Sequence, residues 1–426
     1  MASAADQLRP FFEALVGRPL PLEVRLWDGS RIPSPGAAAT ASFLTPHALR
    51  RILYAPGELG FARGYVLGEI EVEGDLHAAL TILAQASPEL AIGWRTWLDT
   101  ARAAASLGVL GAPLPPPPEE AKLRGRVHSL GRDRAAIAHH YDLSNEFYEL
   151  FLGPSMTYSC ARFTDPARTL EEAQAAKYEL VCRKLDLRPG VRFLDVGCGW
   201  GGMVMHAARH HGVDAVGVTI SQQQFDYARR RVADAGLGGQ VEVRLQDYRE
   251  LGGERFDAVS SIGMAEHVGR RNLTAYLGVL AGLLRPTGRL LNHAISTPNG
   301  ASFDRKAFIA RYVFPDGELP DVAEVVTGMQ AHGLDVRDVE ALREHYAMTL
   351  RRWSANLEAR WDDACRLVGT RRARVWRLYL AGSAVSFDIA DVGIHQVLAV
   401  KLTDSGLSAM PLTRGAFEEG PVLITL

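Results

Sequence analysis

The stretch Phe193-Leu194-Asp195-Val196-Gly197-Cys198-Gly199-Trp200-Gly201-Gly202 constrains this 426-residue chain more than any other. Residues 193–196 suit a β-strand, and the glycines that follow break any regular element. From Met203 to His211 there is neither Gly nor Pro, so a helix is expected there. Strand, glycine turn, helix is how an α/β sheet presents backbone N–H groups and a close-approaching backbone to a ligand. The spacing Gly197-x-Gly199-x-x-Gly202 also satisfies the dinucleotide fingerprint, which alone is a weak signal.

Two details pull the stretch away from a nicotinamide site. Asp195 sits two residues before the first glycine, where an acid reaches a positively charged amino group. The next strand, Ala215-Val216-Gly217-Val218, ends in Thr219-Ile220-Ser221 and offers no Asp or Glu for a ribose diol. That combination resembles the S-adenosylmethionine site of class I methyltransferases. The alternative is a structural tight turn in some other α/β sheet.

From residue 175 onward, strand and helix patterns alternate, which argues a mostly parallel sheet with helices on both faces. Strands are expected at Arg192–Val196, Ala215–Thr219, Val241–Gln246, Phe256–Ile262 and Gly288–Ala294. Asp335–Glu340 and His395–Lys401 fit an antiparallel edge. The fold class is therefore α/β: a Rossmann-like class I methyltransferase with a seven-stranded sheet, plus a small N-terminal α/β domain. Asp195, Thr219, Asp247, Gly263 and Ile295 all fall at or just past a strand end, so the motifs converge on one mouth.

Residues 1–112 are expected to form that N-terminal accessory domain. Leu22–Trp27 alternates as a strand, Asp28-Gly29 turns it toward Arg31-Ile32, and Thr45-Pro46 starts a helix. Gly60–Glu69 reads as a tightly packed helix and turn, and residues 89–108 as an amphipathic helix. Nothing in this part carries recognisable chemistry, which leaves packing, lid or docking roles. Residues 113–134 form a linker, opening on Pro113-Leu114-Pro115-Pro116-Pro117-Pro118, a stiff extended run. Its basic residues, Lys122, Arg124, Arg126, His128, Arg132 and Arg134, are either a solvated face or a contact for anionic headgroups, at about 1 kcal/mol per cation. Residues 135–426 are the methyltransferase domain.

A net charge of −2 gives no global basic field for nucleic acid. The four cysteines show neither CxxC pairing nor a disulfide framework, so reduced thiols in a cytoplasmic protein are expected. There is no signal-peptide pattern and no apolar run approaching about 18 residues. The chain is expected to be neither secreted nor membrane-spanning.

The boxes HYDLSNEFY, MTYSC, FLDVGCGWGG, VTISQQQ, QDYRE, SIGMAEHVG and RYVFPDGELP follow one another in the order seen in the cyclopropane-fatty-acyl-phospholipid synthases and their mycolic-acid relatives. Over residues 130–400 the chain resembles that family; the residues before the proline run match it only weakly. The resemblance implies cofactor contacts from Tyr158, Ser159, Asp195, Gly197, Gly199, Trp200, Gly201, Thr219, Ile220, Gln224, Asp247 and Tyr248. Asp247 suits the exocyclic amine of adenine and Tyr248 its face, although an Asp at a strand end also serves as a turn or cap residue.

A sulfonium methyl is electrophilic enough for an unactivated cis alkene to attack. The resulting carbocation must be shielded from water and then lose a proton. The resemblance implies a bound bicarbonate as base, cradled by Cys160, Glu266, His293, the backbone at Ile295, and Tyr346. Cys, Glu and His are also metal ligands, but no HExxH or CxxC spacing supports zinc, and no metal is expected. Tyr141, Phe147, Tyr158, Phe163, Phe308, Tyr312 and Trp353 are candidates to face the cation or line an acyl tunnel.

One departure bears on the product. The tail reads Ser386-Phe387-Asp388-Ile389-Ala390-Asp391 rather than the arginine-containing end of well-known cyclopropane synthases. Long actinobacterial relatives with this look resemble 10-methylene-stearate methyltransferases of the tuberculostearate pathway. These use the same cofactor and the same cation, and differ in which proton leaves. The expectation is a methyltransferase acting on unsaturated phospholipid acyl chains, peripherally associated with the inner face of the membrane. It is expected to be homodimeric, to bind no nucleic acid, and to need a reductase partner if the product is a methylene branch. A small-molecule methyltransferase is the rival within enzymes, and a lipid-binding scaffold the rival outside them.

Overall fold

A computed structural model describes residues 2–85, 94–121, 132, 143–298 and 307–418. The chain divides into two compact units, residues 1–122 with 304–313 and 361–385, and the remainder. The grouping is not sequential. Two segments far along the chain belong with the N-terminal unit, and that unit runs through the proline stretch instead of stopping at residue 112.

The N-terminal unit holds a four-stranded sheet in the order β2-β1-β3-β4. Its strands are β1 (Glu23–Arg25), β2 (Arg31–Ile32), β3 (Ala39–Phe43) and β4 (Ile70–Gly74). The Asp28-Gly29 turn makes β1 and β2 an antiparallel pair. The helix Pro46–Tyr54 starts at the expected Pro46, yet Thr45 makes no side-chain cap bond. The first helix, Ala4–Val16, carries a Ser3/Asp6 capping box and tolerates Pro10 in its interior. Arg51 donates to the Pro115 carbonyl at 2.9 Å, and Arg63 pairs with Glu120 at 2.7 Å, so residues 113–120 are bound into this unit. Most of the basic stretch lies outside the described residues. Arg132 is described, and its guanidinium is turned to Asp316 at 2.5 Å.

The second unit is built on a seven-stranded sheet in the order β10-β11-β9-β8-β5-β6-β7. Its strands are β5 (Arg192–Val196), β6 (Asp214–Thr219), β7 (Val241–Leu245), β8 (Phe256–Ile262), β9 (Leu284–Ser296), β10 (Leu334–Ala341) and β11 (Gly393–Lys401). β5 through β9 pair in parallel, whereas β11 runs antiparallel to both β9 and β10. Adjacent residues of each strand serve opposite faces. Phe193, Ala258, Leu291 and Leu398 belong to one core layer; Leu194, Val259, Leu290 and Ala399 belong to the other. Successive strands are added on one side of β5 and then, from β8, on the other. That reversal opens a crevice at the strands' carboxyl ends.

Within the N-terminal unit, Arg374 is buried over the Tyr65 ring and donates to Tyr65 O at 2.5 Å, Ile70 O at 2.8 Å and Glu71 at 2.6 Å. Arg374→Ala leaves two carbonyls and a carboxylate without their donor. Urea denaturation is expected to show a loss of about 3 kcal/mol, against within about 0.5 kcal/mol for the exposed Arg371→Ala.

Candidate active site

At the carboxyl ends of β5, β6 and β8 lies a cavity of about 330 Å³. Its wall contains Tyr158, Ser159, Asp195, Gly197, Gly199, Trp200, Thr219, Ile220, Gln224, Asp247 and Tyr248. Of the expected cofactor residues only Gly201 is missing. It caps the helix Gly202–His211 at φ 84°, and a Cβ there would meet Ala228 at 3.2 Å, so its glycine serves the turn. Gly199 differs: at φ 53° its Cβ position meets nothing within 4 Å. Gly197 N and Cys198 N both donate to Val218 O, at 2.9 and 3.0 Å, which pins the turn to the end of β6.

Asp195 is buried and accepts from Ser260 Oγ at 2.5 Å. Burial pushes its carboxyl up to about 6, against the opposing pull of the Ser260 hydroxyl and the Lys177 charge. Lys177, on the helix Leu170–Lys184, was not foreseen from sequence. It reaches the cavity wall, donates to Ser159 Oγ at 3.0 Å, and is lowered to about 7 by burial. An acid and an amine thus share this wall in a low dielectric. Thr219 Oγ1 donates to Gln224 Oε1 at 2.8 Å, so these two polar residues hold each other. Asp247 caps a short helical turn and grips Arg249 with both oxygens, at 2.8 and 2.7 Å. The capping role that competed with the adenine reading is therefore present in the same residue. Trp200 Nε1 donates to Asn145 Oδ1 at 2.7 Å, which ties the described part of the HYDLSNEFY box to the glycine turn. Residues 140–142 of that box, Tyr141 included, lie outside the described residues. Tyr158 stacks on Trp353, with centroids 5.3 Å apart.

Cys160, Glu266, His293, Ile295 and Tyr346 do not line this cavity. They are joined in a layer beside it. Met264 and His267, which flank Glu266, are cavity residues, and Ile262, also a cavity residue, is paired with His293 across β8 and β9. Cys160 Sγ and Tyr346 N both point to Leu342 O, at 3.7 and 3.1 Å; Leu342 N donates to Ile394 O, and Ile394 faces Ile295 across the β9–β11 ladder. Ile295 N donates to Glu266 Oε1 at 2.7 Å, so the backbone group expected to hold an anion instead holds Glu266.

Three polar atoms in this layer are buried without a hydrogen-bond partner among the described residues: Glu266 Oε2, His293 Nε2 and Gln396 Oε1. Desolvation raises the Glu266 carboxyl to about 7, with the Ile295 bond pulling the other way, and holds His293 far below the usual imidazole range. Gln396 Nε2 lies 3.4 Å from His293 Nδ1. With Nδ1 accepting, the neutral ring carries its proton on Nε2. With Glu266 protonated and His293 as its Nε2–H tautomer, each is a donor with no acceptor among the described residues. A small oxyanion fits that donor set. Gln396 and Ser260 were also missed from sequence; the signal was a polar side chain inside an otherwise apolar strand. Phe308 and Tyr312 group with the N-terminal unit, where Tyr312 OH donates to Glu120 at 3.2 Å.

The family described as "Mycolic acid cyclopropane synthetase" matches residues 128–397. A "probable fatty acid methyltransferase" of Mycobacterium tuberculosis is 43% identical over 403 residues, covering 92% of this chain and 94% of that protein. The "tuberculostearic acid methyltransferase UfaA1" of the same organism is 35% identical over 390 residues, 88% of this chain and 87% of its own. Among solved structures, the mycolic acid cyclopropane synthase CmaA1 complexed with SAH and CTAB matches with a TM-score of 0.60 and 35% identity. It covers 63% of this chain and 98% of that one.

Gly199→Val fills the open space at the glycine turn and places a β-branched residue at φ 53°, which it adopts only with strain. Calorimetry is expected to show loss of S-adenosylmethionine binding while circular dichroism retains the native spectrum. Retained affinity in a folded variant would move the cofactor elsewhere.

Proposed function

Because this chain belongs to the mycolic acid cyclopropane synthetase family, we propose that it is an S-adenosylmethionine-dependent methyltransferase that adds one carbon to the cis double bond of an unsaturated phospholipid acyl chain. The observation that carries this reading is the pair of buried, unmatched donors at Glu266 and His293 beside the cavity. A methyltransferase for oxygen or nitrogen nucleophiles has no need of a second, anion-shaped site. An alkene that accepts a methyl has to lose a proton afterwards, and in a dry site a base must be provided.

When bound, S-adenosylmethionine supplies the electrophilic methyl group. Asp195, Ser260 and Lys177 set the charge of the wall that holds it, and the open face of Gly199 leaves room for it. When bound, bicarbonate supplies the base. Glu266 in its protonated form and His293 as its Nε2–H tautomer, beside Gln396, would donate to that anion; the buried Cys160 and Tyr346 complete its surroundings. Burial of these groups keeps water from an electron-deficient chain, and Tyr158 and Trp353 offer aromatic faces nearby.

A methylene-branched product is the second reading, favoured by a specific contact. Phe387, from the segment that departs from cyclopropane synthases, packs on Tyr346 with centroids 4.7 Å apart. The proposal includes peripheral docking on a membrane, a homodimer, and an external reductase for a methylene product. Among the described residues, no helix is long and apolar enough to cross a membrane.

The test is incubation of the purified chain with S-adenosylmethionine, bicarbonate and oleoyl-phospholipid vesicles, followed by mass spectrometry of the lipids. A chain heavier by CH₂ is expected. Resistance to mild hydrogenation identifies a cyclopropane, and uptake of hydrogen a methylene branch. With cofactor bound, the absence of any shifted chain would overturn the phospholipid reading in favour of a small-molecule substrate.

A further inference from the structure

A group of ligating side chains that methyl transfer does not use gathers between two helices of the second unit. Cys182 lies on Leu170–Lys184, and His206 and His211 lie on Gly202–His211; one donor atom from each is within 4.8 Å of the others. Glu179, one turn before Cys182, brings Oε2 to 3.1 Å from His211 Nε2 and 3.6 Å from His206 Nε2. Its other oxygen is held by Arg183 at 3.0 Å.

The ring nitrogens of the two histidines converge on the Glu179 carboxylate. His211 Nδ1 lies 3.1 Å from the Leu187 carbonyl, a contact that only an N–H can make favourably. Its Nε2 lies 3.1 Å from Glu179 Oε2, so the carboxylate and the imidazole edge are already turned toward each other. His206 Nε2 is buried and has no hydrogen-bond partner among the described residues. Metal–ligand bonds of about 2.0–2.1 Å on a tetrahedral ion place donor atoms roughly 3.3 Å apart, close to the spacings between Glu179 and the two imidazoles.

We propose that Cys182, His206 and His211, with the Glu179 carboxylate as fourth ligand, bind one zinc-class divalent ion. Two imidazoles, a thiolate and a carboxylate form a borderline-soft set suited to tetrahedral geometry, and four protein ligands make the site structural. Arg183 and the Leu187 carbonyl orient Glu179 and His211 from outside, as outer partners of metal ligands do. The side chains of His206 and His211 are 14% and 17% exposed, which leaves a path for the ion. The ion joins the helix that carries Lys177 and Tyr178 into the cavity wall to the helix whose first residues, Gly202 and Met203, line the same wall. Nothing in the sequence spacing marks this site, because Glu179-x-x-Cys182 and His206-x₄-His211 meet only when the helices pack.

The test uses the full chain without an affinity tag, stripped with a chelator and titrated with Co²⁺. One equivalent is expected to bind with the intense visible bands of tetrahedral cobalt and a thiolate-to-cobalt charge-transfer band. Cys182→Ser is expected to abolish that band, and His211→Ala to weaken cobalt binding by about tenfold or more. His210→Ala should leave both unchanged, since that ring only stacks on His206 at 4.6 Å. Retained S-adenosylmethionine affinity in the Cys182 and His211 variants shows that they remain folded. Zn²⁺ should displace cobalt and raise the Tm of the wild type but not of a folded His206→Ala/His211→Ala chain. Absence of saturable cobalt binding, or a cobalt spectrum unchanged from wild type in both Cys182→Ser and His211→Ala, would overturn the proposal and leave an imidazolium–carboxylate pair.

Discussion

Between β5 and β8 the sheet reverses the direction in which strands are added, and the features of the site follow from that reversal. Chain segments leaving β5 and β8 diverge to opposite faces, so no crossover covers the carboxyl ends between them. The glycine turn after β5, the Met264–His267 segment after β8 and the ends of β6 and β7 form the rim of one cavity. The antiparallel strand β11 adds Gln396 directly opposite His293 on β9. At that register Gln396 Nε2 comes within 3.4 Å of His293 Nδ1.

The site stores unfavourable electrostatics. Asp195 at about 6, Glu266 at about 7 and Lys177 at about 7 are all displaced toward neutrality by burial. Each displacement corresponds to roughly 1.4 kcal/mol per pH unit between protonation states. Folding bears this cost because the surrounding cores are apolar and tightly packed, with Phe193, Leu194, Phe256 and Val259 fully buried in adjacent strands. Under the proposed function the gain is catalytic. A carboxyl that stays protonated near neutrality can donate to an anion, which an ordinary exposed glutamate cannot do.

Sequence reading recovered the sheet because its strands are apolar runs bounded by turn chemistry. Arg192–Val196 and Phe256–Ile262 were legible to the residue. β9 begins at Leu284, earlier than expected, because Pro286-Thr287-Gly288 reads locally as a turn; in the fold it is a register shift against β8. The first helix, Ala4–Val16, was not among the expected elements, although Ser3 and Asp6 form a capping box at its start. The cavity wall was largely legible because its residues cluster at strand ends. Lys177, Ser260 and Gln396 were not, since each acquires its role from a partner far away in sequence. Gly199 and Gly201 both adopt positive φ, and only the space at the Cβ, open at Gly199 and filled by Ala228 at Gly201, tells them apart.

The central claim is that cofactor binding and proton removal belong to two adjoining sites, with Glu266 serving only the second. Glu266→Gln keeps the volume and the bond from Ile295 N but removes the acid. Measured side by side, S-adenosylmethionine affinity should stay within about threefold of wild type while turnover falls by about two orders of magnitude or more. Loss of cofactor affinity in a folded variant, or turnover close to wild type, would contradict the account.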